Sequence, residues 1–427
     1  MSNYQDRLDA LYQLEFFGMK LGLENIRALL KTLRHPERKF DSIHIAGTNG
    51  KGSVAAMLAA VHQMGGKRTG LYTSPHLIDF RERIRVNGEM ISQREVARFL
   101  EKIWPSVEKL KATFFEVTTA MAFDHFARHK VEIAIVETGL GGRLDATNVL
   151  ERPLATVITS IGHDHHAQLG PTLKDIAREK AGIIKLRVPV IVNCSANLER
   201  IFIQRARALK APIIIVNRFR PELRGDRFWN SPFPGEHQKE NLFTVRLTLD
   251  ALPYRIPVGI ARQGVREAIQ LTGLRGRLEE IAMPDLQKRG LRLFLDVGHN
   301  PEALMAIRQF FKREKIRPLV IFGIMSDKEI DKVLQIMKSF ACGFIAVAAD
   351  TPRALASAEL TARAKSIGLK SKDAGSVSGG IQMAMEQASE GSVLLLAGSH
   401  YVIGEFLREL SGGGSRFTLP KSKKDKL

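Results

Sequence analysis

Apolar and polar positions along this chain recur with two different periods. Over residues 6–33 the apolar positions fall near helical spacing, which predicts two short helices. Residues 40–46 then read as a strand, followed by a glycine-rich loop and an apolar helix over residues 54–64. Residues 131–136, 155–159 and 188–192 are further short β-branched runs. Each is followed by a loop and a helical pattern, as a parallel α/β sheet requires. Residues 218–234 mix Arg, Pro, Gly and aromatics and predict irregular structure. After Gly273 the rhythm restarts, with apolar runs at 291–295, 318–322, 344–348 and 393–396 and helical patterns among them. The pattern predicts two α/β domains with a boundary between Leu271 and Arg277, and a cleft between them where ligands commonly bind.

Bulk properties narrow the class. A chain of 427 residues can bury a core in each of two domains. No apolar run reaches the roughly 18 residues needed to span a bilayer. The N-terminus lacks the basic-then-apolar layout of a signal peptide. Cys194 and Cys342 are the only cysteines, which suits a reducing compartment, so a cytoplasmic protein without a membrane partner is expected. The net charge of +19 invites a nucleic-acid reading. Part of that excess sits in residues 421–426, which follow Ser411-Gly412-Gly413-Gly414-Ser415 in a segment that reads as disordered. The remaining basic residues are scattered, with no zinc-finger spacing and no aromatic-basic repeat. Anionic small substrates explain them equally well, so no nucleic-acid partner is expected.

The chemistry lies at predicted strand ends. In Gly47-Thr48-Asn49-Gly50-Lys51-Gly52-Ser53, the glycines let the backbone turn tightly and present N–H groups to phosphate oxygens. Lys51 can reach the outer phosphates and the Ser53 hydroxyl can ligate magnesium. Gly52 separates Lys51 from Ser53, a departure from the common phosphate-loop spacing. The expected fold is therefore a P-loop, mostly parallel-sheet ATPase domain over 1–273 with N-terminal helices. A smaller C-terminal Rossmann-like α/β domain follows over 274–411, with a basic tail at 412–427. Glu137 ends a strand, where it could complete a magnesium shell, and precedes a glycine-rich loop that contains Arg143 and Asp145. Ser160-Ile161-Gly162-His163-Asp164-His165-His166 follows the next strand. Adjacent loop residues rarely all face one ion, so one histidine joined to Glu137 is expected rather than a self-contained zinc site. Lys180, near a helix end, could face the same pocket or be solvated. In the second domain Asp296-Val297-Gly298-His299-Asn300-Pro301 follows a strand, and Pro301 suits the first turn of a helix. Ser326-Asp327-Lys328 and Gly398-Ser399-His400 occupy equivalent strand-end positions.

Taken in order, these motifs resemble the folylpolyglutamate synthase and dihydrofolate synthase family of the Mur ligase superfamily. The matching residues are His44-Ile45-Ala46 with the loop Gly47 to Ser53, Tyr72-Thr73-Ser74-Pro75-His76-Leu77, and Arg81-Glu82-Arg83-Ile84. They continue through Glu137 to Asn148, Asp164-His165, Glu179 to Ile184, His237-Gln238 with Asn241, Gly276-Arg277-Leu278-Glu279, and Asp296 to Pro301. Only 46 residues precede Gly47, too few for the UDP-sugar domain of cell-wall Mur ligases. The resemblance implies that ATP activates a pteridine carboxylate as an acyl phosphate, which the amine of glutamate attacks. It implies Ser53 and Glu137 on one Mg2+, and His165 with a carbamylated Lys180 near a second. Asn241, Arg277, Asp296 and His299 would join the loop in binding ATP, and Ser74, Pro75, His76, Arg83 and Asp145 would bind substrate. A monomer acting on small molecules is expected. His163 stands where the family often has an apolar residue, and His163 and His166 remain alternatives to His165. Arg275 replaces a frequent Pro, and Val297-Gly298 a frequent Gly-Ala. The rivals are an amino-acid ligase for another carboxylate, a nucleic-acid-stimulated ATPase and a nucleotide-binding regulator.

Overall fold

A computed structural model describes residues 4–16, 22–219 and 229–411. The expected tail at 412–427 and residues 220–228 of the expected irregular stretch lie outside the described residues. Two units emerge from the packing. The first comprises Met1–Pro75, Phe80–Pro232 and Gln238–Leu274, and the second His76–Asp79, Phe233–His237 and Arg275–Leu427.

Among the described residues the first unit holds eight strands: β1 (Asp41–Ala46), β2 (Thr69–Tyr72), β3 (Ile84–Val86), β4 (Glu89–Met90), β5 (Ile133–Glu137), β6 (Ala155–Ile158), β7 (Val190–Val192) and β8 (Ile213–Ile215). They form one sheet in the order β4-β3-β2-β5-β1-β6-β7-β8. From β2 to β8 every pairing is parallel, while β3 and β4 add an antiparallel edge. The central strands are buried along their length, which is why each reads as a continuous apolar run rather than an alternating one. Strand β1 lies between β5 and β6, pairing Ile45 with Glu137 and Ala46 with Ile158. The carboxyl ends of these three strands, each with its following loop, therefore meet at one edge.

Two predicted N-terminal helices are present, α1 (Tyr4–Phe16) and α2 (Glu24–Thr32). They share an apolar cluster with α4 (Gln93–Leu110) and α5 (Phe114–Arg128), including Leu11, Ile26, Leu29, Leu100, Val117 and Phe123. Both α4 and α5 begin with a capping box, Ser92 with Glu95 and Thr113 with Glu116. The helix after β1, α3 (Lys51–Met64), is buried nearly all round, and its residues Ala55 to Val61 carry no exposed polar face.

The second unit is a six-stranded sheet in the order β13-β12-β11-β14-β10-β9. Its strands are β9 (Arg277–Ile281), β10 (Arg292–Asp296), β11 (Leu319–Phe322), β12 (Gly343–Ala348), β13 (Ser371–Ser376) and β14 (Val393–Ala397). All neighbours are parallel except β9 against β10. Four of these strands are the apolar runs of the sequence. The edge strands β9 and β13 are polar, Arg-Leu-Glu-Glu-Ile and Ser-Lys-Asp-Ala-Gly-Ser, and are held by backbone pairing to an apolar neighbour. Residues 76–79 also depart from a single cut along the chain. Leu77 and Ile78 pack with the apolar cluster of the second unit, and the Leu77 carbonyl abuts Gly404. No described helix is long and apolar enough to cross a membrane.

Candidate active site

The loop after β1 is shaped by two glycines. Gly50 has φ +90°, and a Cβ there would lie 2.4 Å from Asn241 Oδ1. Gly47 has φ +156°, and a Cβ would lie 1.7 Å from Thr159 Oγ1, so only glycine fits against the end of β6. Gly52 differs from expectation, because α3 already begins at Lys51 and Gly52 sits inside its first turn.

Residues after β6 latch the loop. Thr48 N donates to Ser160 O at 2.7 Å, and Thr48 Oγ1 exchanges hydrogen bonds with Gly162 at 3.0 and 3.1 Å. Thr159 Oγ1 and Ser160 Oγ donate to Asn49 O at 2.8 and 3.0 Å. The first backbone bond of α3 runs from Val54 N to Gly50 O at 2.9 Å. The N–H groups of Lys51, Gly52 and Ser53 thus have no partner within the helix, and they point out of its positive end. Asn49 N, by contrast, donates to Ser160 Oγ at 3.3 Å.

Around this end stand the charged groups. Glu137, the last residue of β5, is 4% exposed; its Oε2 accepts from Ser74 N at 3.4 Å and its Oε1 lies 3.8 Å from Lys51 Nζ. Lys51 Nζ also donates to Thr48 O at 3.3 Å. Ser53 is 1% exposed, and its Oγ accepts from Gln238 Nε2 at 3.2 Å, while Gln238 Oε1 accepts from Asn241 Nδ2 at 2.9 Å. Gln238 thus joins Ser53 to Asn241, a bridge that the residue pattern alone does not reveal.

Lys180 is 4% exposed and donates to Gly47 O at 2.7 Å. Burial pushes its ammonium down to about 7, with the Lys51 charge acting in the same direction and Asp164 and Asp145 opposing it. Of the two readings of Lys180, the buried one holds. His165 has φ +52° at the start of a short helical turn, with its Nε2 3.7 Å from Asp164 Oδ2. The rings of His163 and His166 face each other at 5.1 Å between centroids.

Asp145 does not present an open carboxylate. Its Oδ2 accepts from Leu140 N at 2.8 Å, and its Oδ1 accepts from Thr147 N at 3.0 Å and from the Thr147 hydroxyl. His44 Nε2 meets that hydroxyl at 2.7 Å. These bonds hold the glycine-rich loop after β5 and fix the Asp145 carboxylate within it. Arg83 is buried, with its guanidinium 5.1 Å from the centre of the Phe114 ring. Pro75 directly follows Ser74, whose N–H meets Glu137, and His76 belongs to the second unit.

Within the second unit Asp296 closes β10. It accepts from Leu278 N at 2.8 Å and Gly298 N at 2.7 Å, and burial raises its carboxyl while the Arg277 charge opposes the rise. Arg277 donates to Gly276 O at 3.1 Å, and His299 Nδ1 lies 2.9 Å from Val297 O. Pro301 opens the following helix as expected, capped by Asn300 onto Ala303 N at 2.9 Å.

The oxygen donors of Ser53 and Glu137, both buried, suit a hard cation such as Mg2+. A neutral amine at Lys180 is the form that can take up carbon dioxide.

Comparison with known proteins places the whole chain in a family context. Residues 45–222 match the Mur ligase middle domain, and residues 276–400 the Mur ligase glutamate ligase domain. A Bacillus subtilis (strain 168) dihydrofolate synthase/folylpolyglutamate synthase is 34% identical over 95% of this chain and 99% of its own. The structure of E. coli FolC in complex with DHPP and ADP superposes with a TM-score of 0.81 at 25% identity, covering 95% of this chain and 98% of that one. A bifunctional folylpolyglutamate synthase/dihydrofolate synthase from Yersinia pestis, complexed with AMPPNP and Mn ion, gives 0.82 at 25% identity over 96% and 98%.

The burial of Lys180 makes a pH prediction in carbon-dioxide-free buffer. Its folded pKa, about 7, lies below the unfolded value of 10.5, so between them the unfolded chain holds the extra proton. The cost of burying Lys180 is full below pH 7 and fades as pH rises toward 10.5. Lys180→Met should therefore raise the urea midpoint relative to the parent at pH 6, with the gap closing by pH 10. A gap that is constant with pH would contradict the buried-ammonium assignment.

Proposed function

The chain belongs to the dihydrofolate synthase and folylpolyglutamate synthase family, and from that premise we propose how its residues carry the reaction. It is an ATP-dependent ligase that joins glutamate to folates. Both acceptors are used, dihydropteroate in forming dihydrofolate and folates in gaining γ-linked glutamates, in line with the paired activities in the B. subtilis relative's name. The protein works as a cytoplasmic monomer.

A carboxylate is a poor acyl donor because oxide is a poor leaving group. Transfer of the γ-phosphoryl group of ATP to the acceptor carboxylate gives an acyl phosphate. The glutamate amine attacks its carbonyl carbon, and the tetrahedral adduct expels phosphate and leaves an amide. The loop from Gly47 to Ser53 cradles the phosphates through the N–H groups at the start of α3. Lys51 neutralises charge at the outer phosphates, and Asn241 orients the nucleotide beside Gly50. Ser53 and Glu137 would hold one Mg2+, and His165 with a carbamylated Lys180 would hold a second. When bound, these ions supply charge neutralisation at the transferring phosphoryl group. A carbamate keeps one N–H, so the bond from Lys180 to Gly47 O can persist while the cation becomes an anionic oxygen donor. Arg277, Asp296 and His299 serve the nucleotide. Ser74, Pro75, His76 and Arg83 serve the acceptor.

The observation that carries this reading is the convergence of Lys51, Glu137 and Lys180 around the start of α3. Phosphate release by purified protein should require ATP, glutamate and either dihydropteroate or a reduced folate. No release with either acceptor would reject the substrate assignment, while release stimulated by DNA or RNA without glutamate would favour the ATPase rival.

Lys180→Ala should lower kcat by about a hundredfold or more, the scale for lost groups around a catalytic metal. Small carboxylates should restore part of that loss. Unchanged activity would return Lys180 to a structural role.

A further inference from the structure

A second constellation lies on α4 and α5, outside the phosphate site. His125 and His129 are four residues apart at the end of α5, hence on one face of the helix, with ring centroids 4.1 Å apart. Glu95, in the first turn of α4, faces both. Its Oε1 lies 2.8 Å from His129 Nε2 and 3.5 Å from His125 Nδ1. Its Oε2 is engaged elsewhere, accepting from Ser92 Oγ at 2.7 Å and Ser92 N at 3.3 Å. The capping box of α4 thus orients the carboxylate and leaves one oxygen turned to the imidazoles.

A hydrogen bond between helices accounts for Glu95 and His129. It leaves His125 unexplained. That side chain is 2% exposed, and its Nδ1 has no hydrogen-bond partner among the described residues. A buried polar atom left unpaired is costly, so the position calls for a ligand.

We propose that Glu95, His125 and His129 form a binding site for a divalent transition-metal ion of the zinc class. The three ligand atoms lie within 4.8 Å of one another. Zinc bonds of about 2.0–2.1 Å in a tetrahedron put neighbouring ligands about 3.3–3.4 Å apart, close to the Glu95–His125 separation. The Glu95–His129 contact, at 2.8 Å, would open by about half an ångström to admit the ion. Two imidazoles and one carboxylate select zinc, cobalt or nickel over magnesium, which takes oxygen ligands. One coordination position is left for water.

The site is separate from the phosphate chemistry. His129 precedes β5, whereas Glu137 ends it, and the strand between spans roughly 13 Å. The ion would clamp α4 to α5 and stabilise the first unit by mass action.

The test uses the untagged full-length protein, stripped with a chelator and held in excess Mg2+. Zn2+ is titrated against a chromophoric chelator in parent and His129→Ala protein; His129 is exposed, so its loss leaves the core intact. The parent should bind one more equivalent of Zn2+ than the variant, and Zn2+ should raise its melting temperature but not that of the variant. Co2+ should give the strong visible bands of a tetrahedral site in the parent alone. Glu95→Gln, which keeps a capping acceptor, should weaken the extra equivalent at least tenfold, and both variants should retain ligase activity. Equal Zn2+ stoichiometry and affinity in parent and His129→Ala would overturn the proposal.

Discussion

The hydrogen bond from Lys180 Nζ to the Gly47 carbonyl ties the helix Leu173–Ala181 to the first residue of the phosphate loop from a position shut off from water. An ammonium is costly there, and the Lys51 charge raises that cost. A plain structural role could be filled more cheaply by an apolar side chain. A lysine buried in this way, with its proton held weakly near neutral pH, is chemically useful because it can react as an amine. The geometry around Gly47 then becomes consistent. Thr159 leaves room for no side chain at Gly47, and Thr48 is latched to residues 160 and 162. The loop therefore stays in place while the charge state of its neighbour changes.

Strand order makes this arrangement possible. With β1 between β5 and β6, Glu137, the loop and Thr159-Ser160 emerge side by side although they are separated by about a hundred residues. That is the crevice at which parallel sheets bind ligands. The hydroxyls of residues 159 and 160 hold the loop, the carboxylate of Glu137 faces Lys51, and α3 directs its unpaired N–H groups into the same space.

Much of this was legible in the residues. The run β1–loop–α3, the placement of Glu137 at a strand end and the four apolar strands of the second unit follow from periodicity, because buried parallel strands must be apolar. The edge strands β9 and β13 were not legible, since their side chains carry no apolar signal and only backbone pairing places them. The grouping of Leu77 and Ile78 with the second unit depends on tertiary contacts that no local pattern encodes. At the site, the residues around Lys180 allow either a pocket-facing or a solvated side chain, and the resemblance to a ligase family favours the first. The bonds from Leu140, Thr147 and Gly139 to Asp145 join residues of one loop in a way that no periodicity encodes. Gln238 was quoted in a motif without a role; its position one turn before Asn241 was the available signal, because residues three apart share a helix face.

These features converge on activation of a carboxylate by phosphoryl transfer, and that step can be followed atom by atom. Dihydropteroate labelled with oxygen-18 in its carboxylate should, on ligation to glutamate, pass one labelled oxygen to the phosphate released. The account predicts one oxygen-18 per phosphate, in step with amide formation. Unlabelled phosphate accompanying full amide yield would contradict it.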